Sequence, residues 1–382
     1  MQSYVKAIST KRKIYNSLLF VLKPLLLLFS IKSRKTKVTP QKFLYICLAE
    51  RGDIIMSSAS INYIKEKHPD SIIYYVCKIE YEKIANLINN IDFVIPIKTN
   101  FRDFLLNFKI IFLHRKTKID IVFDETGSIL TTFLWRIINP RNAFMVNQHG
   151  ISFLSSKFID YSEQQNILDR RRSLLELYFG NINKHFFIPK IIINNNFDIL
   201  NRYLVFEKKY VTFQPHGGWA EKSIGNELVK SLIEKIYLHF GKTIVFLGSE
   251  QDFKKIEEVV KNINNINCIN LAGKLSISNS VIFVKNAFIH IGVDSFLRHI
   301  SIAVGTPSIS IFGPTSHLLS GYIDEMHIPI YSDLECRPFN NQYCKFDAGR
   351  TCSHLDCMKK ISNDKININF TEFKKIVGTK YL

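Results

Sequence analysis

The chain has 382 residues, 46% of them apolar and 22% charged, and a formal net charge of +18. That length holds two domains with full cores better than one compact domain, and the many Ile, Phe and Leu fit globular α/β structure. The charge does not mark a nucleic-acid binder, because no basic-aromatic module appears and the excess concentrates at one end: residues 1–49 hold ten Lys or Arg and no acid.

In chain order, the first feature is an arm over residues 1–40. It reads KRK at 11–13, an apolar tract at 14–31 and KSRKTK at 32–37. Lys23 and Pro24 split the tract into pieces shorter than the roughly 20 residues that span a bilayer. A helix lying on an anionic membrane surface fits best, each basic residue contributing on the order of 1 kcal/mol. The alternatives are a cleaved signal peptide, disfavoured because no small-residue cleavage site follows Ile31, a transmembrane anchor, and a helix packed on the protein itself.

Beyond the arm, strand-like runs at 43–49, 72–77, 93–97, 119–125 and 143–147 alternate with helical segments such as 54–67 and 81–88. A first α/β domain over 41–190 is expected. The stretch 148–206, with a basic helical segment at 169–178, reads as the crossing to a second domain over 200–365, followed by a C-terminal helix at 366–382. In the second domain, strands at 210–214, 243–247, 288–293 and 308–312 alternate with helices at 226–240, 251–262, 276–286 and 296–304. The expected architecture is two Rossmann-like, doubly wound domains facing a central cleft.

The segment FIHIGVDSFLRHISIAVGTPSISIFGPT at 288–315 is a strand, a helix and a second strand. In a parallel sheet, the carboxyl ends of both strands and the amino end of the helix open onto one crevice. Asp294, Ser295, Arg298, His299, Gly313 and Thr315 are expected to line it. Free N–H groups and the helix dipole favour an anion there, so a phosphorylated ligand is expected.

Gly52-Asp53 after the first strand, FQPHGGWAEKS at 213–223, NLAGK at 270–274, IGVDSFLRH and FGPT together resemble glycosyltransferase family 9, the lipopolysaccharide heptosyltransferase family. The resemblance runs from about residue 43 to 360. It implies a GT-B fold, a nucleotide-activated sugar (typically ADP-heptose) on the C-terminal domain, an acceptor on the N-terminal domain, and inverting transfer that needs no catalytic metal. It further implies a cytoplasmic enzyme peripheral to the bacterial inner membrane, acting on a lipid-linked glycan such as the lipopolysaccharide core. Protein-modifying heptosyltransferases and transferases of other nucleotide sugars are nearby alternatives. A nucleotide-sugar epimerase and a non-catalytic sugar-nucleotide or lipid-binding protein are readings from other classes; the first needs no membrane-seeking arm and the second no Gly52-Asp53.

Inverting transfer needs a base for the acceptor hydroxyl and a device for the departing diphosphate. Asp53 matches the family's catalytic aspartate, although a helix amino end also favours an aspartate for capping alone. Lys222 matches the loop lysine and offers a point charge to phosphate, where a solvated loop lysine is the plain alternative. Asp294 and His299 match the donor-binding aspartate and histidine. Aspartate pairs poorly with diphosphate, so Asp294 is expected to accept from sugar hydroxyls and His299 to donate to a phosphate oxygen; a helix cap and a core histidine would explain them equally simply. The chain departs from the family at Phe296, where the family has the glycine that lets phosphate approach backbone. Arg298 is the residue that would compensate, by a bidentate phosphate contact.

Cys47, Cys77 and Cys268 sit in apolar runs and read as small buried hydrophobes. Cys336, Cys344, Cys352 and Cys357 are spaced C-x7-C-x7-C-x4-C. Four such thiols bind a structural zinc or iron, stay free, or form disulfides, and the spacing lacks the paired C-x2-C knuckles of common zinc sites. The resemblance allows metal here, because some protein-modifying relatives carry an iron-binding cysteine finger.

Overall fold

A computed structural model describes residues 41–99, 117–148, 150–203, 205–207 and 209–381. The arm expected over residues 1–40 lies outside them. The described residues build two six-stranded sheets, parallel at every pairing. The first contains β1 (Lys42–Ile46), β2 (Ile72–Lys78), β3 (Phe93–Ile97), β4 (Ile121–Asp124), β5 (Asn142–Asn147) and β6 (Lys157–Asp160), in the order β3-β2-β1-β4-β5-β6. The second contains β7 (Tyr210–Gln214), β8 (Thr243–Phe246), β9 (Cys268–Asn270), β10 (Ile289–Val293), β11 (Ser308–Phe312) and β12 (His327–Tyr331), in the order β12-β11-β10-β7-β8-β9.

Counted from its own first strand, each sheet has the same order and changes its direction of growth once. The changes fall between β1 and β4 and between β7 and β10. At such a switch point the crossovers leave on opposite faces, and a crevice opens beyond the carboxyl ends of the two strands. Asp53 follows β1, and Lys222 and Asp294 follow β7 and β10.

The helix expected over 54–67 is two, Arg51–Met56 and Ser58–Lys67. The buried Ser57 separates them, its Oγ donating to the Ile54 carbonyl at 2.7 Å and lying 2.8 Å from the Tyr75 hydroxyl. The 148–206 stretch is more than a crossing. Its helix Ile167–Phe179 packs on β5 and β6 of the first sheet and buries Leu174 and Leu175 completely. The C-terminal helix runs Asn363–Tyr381 and returns to the second sheet, with Ile366, Phe370 and Phe373 in its core beside helix Asn226–Phe240.

One apolar cluster crosses between the halves. Helix Phe296–Ala303 contributes Leu297, Ile300 and Ala303, which join Ile55 and Met56 of helix Arg51–Met56. Each fully buried Leu or Ile contributes roughly 1.5–3 kcal/mol, more than a surface ion pair supplies. Apolar packing therefore sets the two switch points against each other.

Candidate functional site

Asp53 is the third residue of helix Arg51–Met56. Glu50 caps that helix, and the Asp53 Oδ2 accepts the Glu50 N–H at 3.2 Å, which completes a capping box. The local sequence thus fixes the carboxylate at the helix start, with 24% of the side chain exposed. Behind it lies Arg171, fully buried, whose Nη2 donates to the Asp53 carbonyl at 2.9 Å and sits 3.7 Å from Oδ1. Arg171 is itself engaged by Glu125, Nε to Oε2 at 3.0 Å and Nη2 to Oε1 at 2.5 Å. Burial raises the Asp53 proton affinity, the Arg171 charge pulls it down, and Glu125 pushes it back up, so the carboxyl ends above its usual range. A carboxylate shifted that way is a better proton acceptor near neutral pH.

Across the interface, Lys222 and Asp294 form a buried pair. The Lys222 Nζ donates to Asp294 Oδ2 at 2.7 Å and to the Asp294 carbonyl at 3.1 Å, and lies 4.1 Å from the Trp219 ring centroid. The Thr315 hydroxyl donates to the same Oδ2 at 2.7 Å, while Arg298 Nη1 stands 3.6 Å from Oδ1. Burial alone would raise Asp294, but Lys222, then Arg298 and His299, hold it far below the carboxylate range. It stays ionised. Ser295 caps helix Phe296–Ala303 by position only, its hydroxyl donating to the Gln214 side chain at the end of β7.

Arg298 departs from expectation. Its guanidinium donates to the Ser320 and Tyr322 carbonyls, both at 3.0 Å, and lies over the Phe312 ring. The bidentate phosphate contact expected of it is not the arrangement found, because a 2% exposed guanidinium tied to two carbonyls braces the 320–322 loop instead. A Cβ at Gly313 would lie 2.1 Å from Met358 Sδ, so this glycine makes room for the cysteine-bearing segment. Phe296 packs against the shared core.

His299 joins the two halves. A Cβ at Gly52 would come within 2.4 Å of His299 Cδ2, so the Gly52-Asp53 step rests directly on the imidazole. Burial, aided by the Arg298 charge, lowers His299 to about 3, and the ring is neutral at physiological pH. Its Nδ1 is buried with no hydrogen-bond partner among the described residues. Tyr343 pairs with Thr315 in an isolated antiparallel bridge and leans on Trp219, with ring centroids 6.5 Å apart. Burial pushes its hydroxyl up to about 12, and the Asp53 and Asp294 charges add to that shift.

Cys336, Cys344, Cys352 and Cys357 line one small cavity with Arg337, His354 and Gly313. All four are free thiols, and Cys352 Sγ accepts the Leu355 N–H at 3.3 Å. Among the described residues no group of three or more His, Cys, Asp or Glu is arranged to hold a metal ion. The Arg337 side chain also borders this cavity, its guanidinium donating to the Gly313 and Ser332 carbonyls at 3.3 Å each and lying over the Tyr331 ring. Cys47 and Cys77 are buried, as their apolar runs imply, and Cys268 is half-buried.

Glu125, Arg171, Trp219 and Tyr343 escaped the sequence reading. Glu125 stood at the end of a strand run, and Arg171 in what read as a crossing helix. A signal for Arg171 was present: it occupies the apolar stripe of its helix, with Ile167, Leu168, Leu174 and Leu175 at the flanking buried positions.

Curated relatives and solved structures agree on the kind of molecule. The chain is 27% identical over 297 residues to lipopolysaccharide heptosyltransferase 1 of Campylobacter coli, covering 72% of this chain and 84% of that one. The crystal structure of a glycosyl transferase family 9 protein from Veillonella parvula superposes with a TM-score of 0.75 at 18% identity, over 90% of this chain and 100% of that one. Heptosyltransferase WaaC of E. coli with ADP superposes at 0.60 and 16% identity, over 79% and 95%. The fold is GT-B. The family description "Glycosyltransferase family 9 (heptosyltransferase)" matches residues 113–349, more than half of the chain, and with the site above it places this protein in glycosyltransferase family 9, as a glycosyltransferase.

Proposed function

We propose that the enzyme moves a heptose from ADP-heptose, with inversion, onto a lipopolysaccharide core or a related surface glycan. The reading rests on one observation: a carboxylate of raised proton affinity, Asp53, lies across the Gly52–His299 contact from the Lys222–Asp294–Thr315 cluster at the second switch point. Asp53 takes the acceptor hydroxyl proton as that oxygen attacks the anomeric carbon. The bond to the diphosphate breaks on the opposite face, and Lys222 and the amino end of helix Phe296–Ala303 receive the departing charge. Asp294 keeps Lys222 in place and accepts from sugar hydroxyls, while Ser295, Thr315 and the neutral His299 line the pocket. ADP in the WaaC structure and the heptosyltransferase name of the Campylobacter relative support the choice of donor.

The acceptor enters over the N-terminal half, taken as 41–190, and the donor binds the C-terminal half, taken as 200–365. The basic and apolar arm seats the enzyme on the cytoplasmic face of the inner membrane, where a lipid-linked acceptor resides. Among the described residues no helix is long and apolar enough to cross a membrane.

Calorimetry of the purified protein against a panel of nucleotide sugars tests the donor. ADP-heptose is expected to bind tightest; preference for a uridine or guanosine sugar would overturn the assignment. Deleting residues 1–37 is expected to release the protein from anionic liposomes with its melting transition intact, and unchanged liposome binding would reject the membrane role.

A further inference from the structure

Arg171 and Glu125 belong to no part of the donor pocket, yet they form the most deeply buried ion pair of the site. The Arg171 side chain is 0% and the Glu125 side chain 4% exposed. The Tyr45 hydroxyl donates to Glu125 Oε2 at 2.9 Å and lies 3.1 Å from Ser60 Oγ, so the pair is anchored from below by β1 and helix Ser58–Lys67. One guanidinium nitrogen, Nη1, is buried with no hydrogen-bond partner among the described residues. A buried pair that leaves a donor orphaned is a poor stabilising device, since apolar side chains of similar volume hold a core at least as well. The placement is better explained by what the pair touches: Arg171 Nη2 holds the Asp53 carbonyl at 2.9 Å and stands 3.7 Å from the carboxylate.

We propose that Arg171 and Glu125 are positioning residues for the transfer, the arginine pinning the Gly52-Asp53 turn against His299 and the glutamate balancing the charge that the arginine brings to the Asp53 carboxylate. The inference rests on Asp53 being the base. Arg171 alone would make Asp53 a weak proton acceptor, because a cation within about 4–6 Å lowers a neighbouring aspartate by roughly 1–3 pH units. Glu125 takes up that cation with two hydrogen bonds and leaves Asp53 the carbonyl contact and a longer approach. The geometry thus gives rigidity without loss of basicity.

Other groups facing Asp53 do not switch charge in the working range. Arg170 on the same helix is a second cation, with its guanidinium over the Tyr161 ring. Burial keeps the Cys47 thiol and the Tyr343 hydroxyl uncharged and the His299 ring neutral. Glu50, at the cap, is held ionised by hydrogen bonds from Lys78 and Tyr81 despite its partial burial.

The test is the pH profile of kcat/KM in full-length wild type, Glu125→Gln and Arg171→Gln, with melting curves beside it and the nucleotide sugar that calorimetry selects as donor. Loss of the Glu125 charge is expected to move the acid limb to lower pH, and loss of the Arg171 charge to move it to higher pH, each by about one unit. A role in folding alone would change the melting temperature and leave the limb in place. If Arg171→Gln does not fold, the near-isosteric Glu125→Gln decides. A folded Glu125→Gln with an unmoved limb, or two variants shifting the same way, overturns the proposal. Asp53→Asn separates this failure from that of the parent reading. An inactive Asp53→Asn with unmoved limbs rejects only the positioning roles, whereas an active Asp53→Asn removes the base and the inference with it.

Discussion

The two switch points each carry an aspartate just past a strand, and their surroundings drive the two in opposite directions. Asp53 has its nearest cation 3.7 Å away and already claimed by Glu125. Asp294 has Lys222 at 2.7 Å, a threonine hydroxyl at the same distance and Arg298 beyond. Both sites penalise charge by burial; only the second repays it with an uncommitted cation. Two carboxylates whose environments separate their proton affinities are the means by which one site takes up a proton at one place and keeps a fixed negative charge at another. The difference lies in who else binds the cation, not in the aspartates.

The sharpest way to break this comparison is Asp53→Asn. The amide keeps the capping geometry but cannot take the proton, so transfer is expected to fall by about 10²–10⁴-fold while donor affinity stays within a factor of two or so of wild type. Single-turnover rates and calorimetry on the same preparation measure both. Wild-type turnover would leave the site without its base and reduce Asp53 to a helix cap.

How much of this was legible in the sequence follows from what each element has to do. Central strands such as Tyr210–Gln214 and Ser308–Phe312 are rich in β-branched and aromatic residues between turn signals, and their bounds match those expected from the sequence. The three strands that went unread, β6, β9 and β12, all lie at sheet edges, where one neighbour suffices and the sequence can be short, charged or interrupted by Pro329. Helix Ile129–Ile138 was missed because ILTTFLWRII is nearly apolar throughout, and its Ser128 and Thr131 capping box is a weaker mark than periodicity. In the site, residues on motif loops were legible because the motif fixes their place. Glu125 and Arg171 meet only after a separation of 46 residues, and nothing local tells that a strand-end glutamate and a helix arginine will pair.

A second test lies on the donor side. Lys222→Ala is expected to weaken both the intact nucleotide sugar and the free nucleoside diphosphate by about ten- to a hundredfold, the range of a lost charge-assisted contact at roughly 1.5–3 kcal/mol. Asp294→Asn is expected to cost the intact donor more than the free diphosphate. The structure sharpens that expectation, because Asp294 also holds Lys222, and some loss toward the diphosphate must follow when the grip is relaxed. Equal losses toward both ligands, read by calorimetry, would leave Asp294 as a holder of Lys222 with no contact to sugar.

The smallest expected effect is on stability, and its sign separates the two aspartates most cleanly. Asp294 binds its proton less tightly folded than unfolded, so its contribution is present above the unfolded value of about 3.9 and is lost as pH falls through the folded value. Asp53 is shifted the other way, so its contribution favours the folded state at low pH and is lost as pH rises through its folded value; at neutral pH the ionised group is a burden on the fold. Asp294→Asn should therefore lower stability at pH 7, by about 1–2 kcal/mol for a weakened hydrogen bond to a charged partner, and flatten the acid side of the profile. Asp53→Asn should raise it by less than that, as active-site carboxylates held against their preference commonly do when neutralised. Urea midpoints from pH 4 to 8 measure both signs in one series. A fall in both variants would mean that the Asp53 carboxylate is stabilised by Arg171 as fully as Asp294 is by Lys222, and the contrast between the two switch points would disappear.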